Sequence, residues 1–379
     1  MKIGFYSSMP LEDKRNWSGT MHKMYEQIVM LQHEVVWIPK FNLSKEEEKS
    51  YKKFEKLFQK IFRRGYNQHI NYYKARIISK KIDKYLDNNK FDFIFAPTVI
   101  NDFALSNTKT PIVYLNDANV GQLLNYYPYY SGFGWLSKKE TVFLEKKLLQ
   151  KTAINIFSSQ WAADYAVNNY KIAPEKVIIL KFGANLDVPE NWTFNKDIKD
   201  EITFLFLAVD WVRKRGDLAY RALKILRKNS YKVRMQIIGC NPEIEEDWVN
   251  IIPFLNKNNP TELEEIQKHL QNSHFLFVPT HADCTPIAFC EATGYGLPVI
   301  STNTGGVSAH VENGKTGILL SEKATIKDYA DAIKSLLENV SIIEKFSIAS
   351  REKYEKELNW DVWRIEFDKL IKNFIYHKK

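Results

Sequence analysis

Short apolar runs bounded by turn formers alternate with helix-length segments along the whole chain. In the first half KIGFYSS, HEVVWIPK, FDFIFAP, PIVYLND, INIFSS and KVIILKF read as strands. In the second half ITFLFLAV, VRMQIIG, HFLFVPT, PVIST and GILL do the same. The stretches between them, among them GTMHKMYEQIVMLQ, SQWAADYAVNNY, DLAYRALKILRKN, PTELEEIQKHLQ and PIAFCEATGYG, carry apolar residues at helical spacing. Strands this short and this apolar are covered on both faces, which predicts an α/β protein of parallel sheets joined by crossover helices.

The pattern breaks once, over the polar, aperiodic GANLDVPENWTFNKDIKDE at residues 183–201. A boundary there predicts two Rossmann-like domains, residues 1–185 and 200–357, with parallel sheets facing a central cleft. The amphipathic tail from about 358 to 379 is expected to return to the first domain. In open sheets of this kind ligands bind beyond the carboxyl ends of the strands.

Composition narrows the class. The 379 residues are 45% hydrophobic and 14% aromatic, enough apolar material for two cores and too much for extended disorder. The three cysteines, Cys240, Cys284 and Cys290, form no CxxC and no Cys/His spacing for a metal, so no metal site and a reducing compartment are expected. MKIGFYSSMP reads as a strand and turn, not a signal peptide, and no apolar run approaches the ~18 residues of a transmembrane helix.

The charge of +9 is uneven: from Lys49 to Lys90 there are 13 Lys or Arg against Glu55, Asp83 and Asp87, with aromatics interleaved. Two readings stand. One is a surface for an anionic membrane or an acidic ligand; the other is a pair of solvated helices whose Phe and Ile stripe faces the core. No nucleic-acid motif accompanies the charge, so no nucleic-acid partner is expected.

The chemistry concentrates in HADCTPIAFCEATGYGLPVISTNTGG, residues 281–306. Acids inside a largely apolar segment need partners. Thr285 is placed to cap a helix whose first position is Pro286. Asp283 then lies in the loop before that helix and Glu291 lies within it. A helix N-terminus suits a phosphate, and an acceptor-only carboxylate suits paired hydroxyls. Together they point to a nucleotide sugar. The plainer alternative makes Asp283 a loop cap and Glu291 an exposed helix residue.

The same stretch resembles the signature of the family 4 retaining glycosyltransferases of GT-B fold: an acid, seven residues, a Glu, an A-x-x-x-G-x-P-V-[IV] run and a Gly-Gly turn. Here these are Asp283, CTPIAFC, Glu291, ATGYGLPVIST and Gly305-Gly306. Asp283 stands where the family usually has Glu, and Cys284-Thr285-Pro286 where it has Gly-Phe-Gly. LFLAVDWVRKRGDLAYRAL resembles the family's G-x-D-W-x-R-K-G-G run, with Ala208 and Arg215 in place of glycines. WSGTMHKM resembles its Gly-Gly loop with Ser18 for one glycine, and PIVYLND its strand ending in His-Asp, here Asn116-Asp117.

The resemblance implies a metal-independent, retaining hexosyltransferase without a cofactor. Its donor would be a nucleoside diphosphate sugar, UDP favoured over GDP, and its acceptor a glycan or glycolipid of a bacterial surface. Residues 1–185 with the tail would be the acceptor side and 200–357 the donor side. Gly19, Arg213, Lys214 and Thr285 would hold the diphosphate, Glu291 the ribose, and Asp283, Asn116 and Asp117 the transferring sugar. The implied location is cytoplasmic, with peripheral attachment to the inner face of the plasma membrane. The alternative is a non-catalytic GT-B subunit that binds glycan or stabilises a partner. A sugar-nucleotide epimerase or a phosphorylase would keep the fold and change the reaction.

Overall fold

The computed structural model describes residues 1–379 except Ser8, Lys199 and 377–379. Every strand expected from the apolar runs forms: β1 Lys2–Tyr6, β2 Glu34–Ile38, β3 Phe93–Pro97, β4 Ile112–Asn116, β5 Ile154–Phe157 and β6 Val177–Ile179 in one sheet. The second sheet holds β7 Ile202–Leu207, β8 Val233–Ile238, β9 Val249–Ile252, β10 Phe275–Val278, β11 Val299–Thr302 and β12 Gly317–Leu320. The strand orders are β2-β1-β3-β4-β5-β6 and β12-β11-β10-β7-β8-β9, and every pairing is parallel. β9 was not expected. It is a four-residue edge strand, VNII, whose one deeply buried residue is Ile252, so it lacks the apolar run that marks a strand covered on both faces.

Two compact units result, and they do not follow the chain simply. The first is Met1–Glu12 with Met24–Leu180, and the second is Asp13–Lys23 with Lys181–Lys379. Thus the segment after β1 packs with the second unit, and so does the last helix, Trp360–Tyr376.

Each sheet is the spine of its core. In the second unit Phe204 and Phe275 are register partners on β7 and β10, and their rings stack 5.3 Å apart. Fully burying such a side chain stabilises by about 2–3 kcal/mol. In the first unit Ile94, Ala96, Ile112 and Tyr114 on β3 and β4 meet Leu144, Leu148 and Leu149 of the helix Trp135–Lys151.

Local signals start the helices. The Ser159 hydroxyl accepts from Ala162 N as an ordinary N-cap, and Ser44 and Glu47 form a capping box at Lys45–Phe62. Among the described residues no helix is long and apolar enough to cross a membrane.

Candidate functional site

The turn between β7 and the helix Gly216–Lys228 is built by Asp210. Its Oδ1 accepts from Arg213 N at 3.0 Å, its Oδ2 takes Arg213 Nε at 3.2 Å, and its carbonyl accepts from Lys214 N at 3.0 Å. Trp211 packs edge-on against Phe206, with ring centroids 5.1 Å apart, and covers Gly216. This Asx-type turn is the physical content of the D-W-x-R-K spacing. Arg215 closes it in the left-handed region, φ 53°, ψ 46°, which explains a glycine preference at a position where this chain has arginine.

The turn is sewn to the loop after β10. His281 N donates to Arg213 O at 2.8 Å, and Arg213 Nη1 donates to Ala282 O at 2.8 Å. Lys214 Nζ pairs with Asp283 Oδ2, both side chains being largely buried. Asp283 in turn accepts on its carbonyl from Gly306 N at 3.0 Å, which ties in the Gly-Gly turn.

The helix begins at Ile287, not at Pro286. Pro286 occupies the N-cap position with φ −75° and ψ 92°, so Thr285 lies one residue before the cap position expected for it. Proline has neither an N–H nor a side-chain acceptor, so Pro286 supplies no side-chain cap, and Pro286, Ile287 and Ala288 line the cavity described below. Glu291 is 1% exposed, which excludes the surface-residue reading; its Oε1 takes the ammonium of Lys257.

These elements enclose a cavity of about 310 Å³ within the second unit. Of the donor-side residues expected from sequence, Arg213, Lys214, Asp283, Thr285 and Glu291 line it, and Gly19 is not among the lining residues. Lys14, Arg15, Phe254 and Lys257, which sequence reasoning missed, line it too. Lys257 sits in the polar LNKNNP loop, where no pattern distinguishes it from a solvated lysine.

The segment after β1 reaches the cavity through a strained loop. Trp17, Ser18 and Gly19 have φ of 49°, 57° and 93°. Asn185 Nδ2 holds this loop, donating to Ser18 O and Thr20 Oγ1 at 2.9 Å each, and Asn185 Oδ1 accepts from Trp360 Nε1 at 2.9 Å. Ser18 lines the cavity, and Gly19 follows it, buried. Asn258 accepts from Lys14 N and donates to Asp13 Oδ1, both at 3.1 Å, so the loop carrying Lys257 also grips this segment.

Asn116 and Asp117 stand in the first unit, at the carboxyl end of β4. Asn116 Nδ2 donates to Tyr114 Oη at 2.9 Å and its Oδ1 accepts from Asp117 N at 3.0 Å, so the amide orientation is set from both sides.

Cys240, Cys284 and Cys290 are buried thiols, and burial pushes that of Cys240 up to about 11, as befits packing residues. His281 is exposed, with Nδ1 2.9 Å from Arg215 Nη2.

Residues 201–339 match the family model described as Glycosyl transferases group 1. They are a group 1 glycosyltransferase domain. The whole chain has the fold of the GT-B glycosyltransferases. It is 26% identical over 163 residues to the capsular polysaccharide biosynthesis glycosyltransferase CapM of Staphylococcus aureus, covering 41% of this chain and 42% of CapM. The chain spans about half or less of the length of the curated relatives it matches.

Among solved structures, the sucrose-phosphate synthase of Thermosynechococcus elongatus superposes over 100% of both chains with a TM-score of 0.68 at 13% identity. Anabaena HepE, in complex with UDP and glucose, superposes over 98% of this chain and all of its own with a TM-score of 0.60 at 13% identity. The GT-B fold is common to all of them.

Proposed function

We propose that this glycosyltransferase moves a hexose from a nucleoside diphosphate sugar, UDP favoured over GDP, to a hydroxyl of a lipid-linked bacterial surface glycan, with retention and without a metal. The observation that carries the donor reading is that one cavity gathers two kinds of group. Arg213, Lys214 and the helix N-terminus at Ile287 suit a diphosphate; Asp283 and Glu291 suit sugar and ribose hydroxyls.

In this reading Glu291 accepts from the ribose hydroxyls and Asp283 from hydroxyls of the transferring sugar. Lys214 touches Asp283, so sugar and diphosphate subsites share one charge pair. Fixed cations and a helix terminus stabilise the diphosphate as it leaves and do the work a metal would otherwise do. The acceptor hydroxyl attacks the face from which the diphosphate departs, and the departing phosphate oxygen takes its proton. Gly19 permits the close approach of the loop after β1, and Asn116 and Asp117 supply hydrogen bonds to the sugar from the first unit. Such an enzyme would work in the cytoplasm, at the inner face of the membrane that holds its acceptor.

Calorimetric titration with UDP and with GDP tests this. Saturable binding of UDP, weakened about 10- to 100-fold in Glu291→Ala and in Lys214→Ala, is expected. Absence of binding by either nucleotide at millimolar concentration would overturn the donor site and leave a non-catalytic subunit as the better reading.

A further inference from the structure

The first unit carries a surface that the donor reading does not use. On the helix Lys45–Phe62, Tyr51 and Phe58 face inward, while Leu57 and Ile61 are 56% and 61% exposed, with Phe54 and Phe62 partly exposed beside them. Phe54, Leu57 and Ile61 follow one another at helical spacing, so they form a stripe along the flank of the buried face. Lys49, Lys52, Lys53, Lys56 and Lys60 occupy the adjoining arc. From Lys49 to Arg64 there are seven Lys or Arg and one acid, Glu55.

A second helix extends the surface. On Trp135–Lys151 the outward face presents Trp135 and Phe143, 62% and 53% exposed, interleaved with lysines. Lys139 Nζ lies 4.9 Å from the Trp135 ring centroid and Lys147 Nζ 6.0 Å from that of Phe143. The two helices are joined where their ends meet. Gly65 and Phe133 form a β-bridge, Gly134 N donates to Gly65 O at 2.9 Å, and Asn67 N donates to Ser137 Oγ at 2.8 Å. A Cβ on Gly134 would stand 3.2 Å from Arg64 Cβ, so Trp135 begins its helix beside the basic end of the other.

We propose that this face, Leu57 and Ile61 on one helix and Trp135 on the other set among lysines, is the surface by which the protein seats on an anionic bilayer. Charge and shape choose the occupant. A second copy would bring the same lysines into register and repel itself. A nucleic acid would use the lysines but leave Leu57, Ile61 and Trp135 without a role. A bilayer takes all of it: aliphatic tips enter the acyl boundary, Trp135 sits at headgroup level, and lysine stems snorkel to phosphates. The geometry stands apart from the proposed chemistry; the purpose, access to a lipid-linked acceptor, rests on it.

The test is co-sedimentation of the full chain with vesicles of phosphatidylcholine alone and of phosphatidylcholine mixed with phosphatidylglycerol, with UDP titration run in parallel. Binding to the mixed vesicles only, reversed by high salt, is expected. The double variant Leu57→Glu/Ile61→Glu, and separately Trp135→Ser, should lose about ten-fold or more of that binding while thermal unfolding and UDP affinity stay unchanged. Replacing Lys52, Lys53, Lys56 and Lys60 by Gln should do the same. Failure of the unaltered protein to sediment, or equal binding by the apolar variants, would overturn the proposal. So would conversion of a dimer to a monomer by Leu57→Glu/Ile61→Glu. Vesicle binding that persists where UDP fails to bind would instead sink the donor reading alone.

Discussion

Lys257 Nζ donates to Glu291 Oε1 across the donor-side cavity, joining the loop after β9 to the helix Ile287–Gly294 over 34 residues of sequence. A carboxylate this buried needs a compensating charge. The ammonium binds Oε1 of Glu291, which leaves the other oxygen of that carboxylate to ribose hydroxyls in the proposed donor reading. Under the proposed donor reading Lys257 is therefore a positioning residue for ribose recognition. Lys257→Met should weaken UDP binding about 10- to 100-fold. It should also erase the preference for UDP over 2′-deoxy-UDP, with Lys257→Arg restoring part of both. Paired calorimetric titrations check this. Tighter UDP binding by Lys257→Met would show that the lysine merely plugs the site.

The second ion pair predicts a different split. Lys214 and Asp283 neutralise each other, but only Lys214 is assigned to the diphosphate. Asp283→Asn keeps the side-chain shape and frees the ammonium for phosphate. UDP affinity should change by no more than a few-fold, while turnover of a UDP-hexose falls about 100-fold, equivalent to roughly 2.7 kcal/mol of transition-state stabilisation. Lys214→Ala should lower both. Rates of UDP release alongside binding titrations separate the two patterns; equal losses of affinity in both variants would remove Asp283 from the sugar subsite.

How far the molecule could be read in advance depends on what kind of contact made each part. Buried strands such as β7 and β10 announce themselves because both faces are apolar, whereas the edge strand β9 does not. The turn at Arg213 and Lys214 was legible because Asp210 and Gly216 shape it locally. Glu291 was legible as a carboxylate in need of a partner, yet the partner was not, since Lys257 arrives from a distant loop with no local signature. The helix start was placed one residue early because Ser/Thr-Pro reads as cap and first turn, while here the extended ψ of Pro286 delays the helix. The departure at Arg215 became intelligible only with its left-handed φ in view.

Gly216 is held by its neighbour, not by its torsions. A Cβ there would stand 2.1 Å from the Trp211 ring, which already packs on Phe206. Gly216→Ala must push Trp211 outward and with it the turn that aims Lys214. A loss of about 2 kcal/mol in stability is expected from overpacking. Nucleotide affinity should fall about ten-fold, because the turn moves as a unit. Chemical denaturation and UDP titration of the variant check both; a destabilised variant with unchanged affinity would show that the turn holds its shape without Trp211.

The two units should respond to acid in opposite directions. In the first, burial pushes the Glu145 carboxyl up to about 7, although it accepts from Val120 N at 2.9 and 2.8 Å and from Tyr170 Oη at 2.5 Å. Burial likewise raises Asp102 and Glu140. A group that holds its proton better folded than unfolded favours folding below the ordinary carboxylate range, and that contribution is lost as pH rises through about 7. For Glu145 it amounts to about 3 kcal/mol.

In the second unit, burial pushes His310 down to about 4, with the Lys181 and Lys353 charges adding to it and Gly306 O and Asp283 opposing. There the unfolded chain takes the proton first, so stability is present above the ordinary histidine range and is lost as pH falls through about 4. Lowering the pH from about 7 to 5 should therefore raise the melting of the first unit and lower that of the second. Glu145→Gln should flatten only the first dependence and His310→Gln only the second. Calorimetric scans across this range, with UDP marking the transition of the second unit, measure both. A first transition that falls on acidification as steeply as the second would mean that Glu145 is ionised in its buried site.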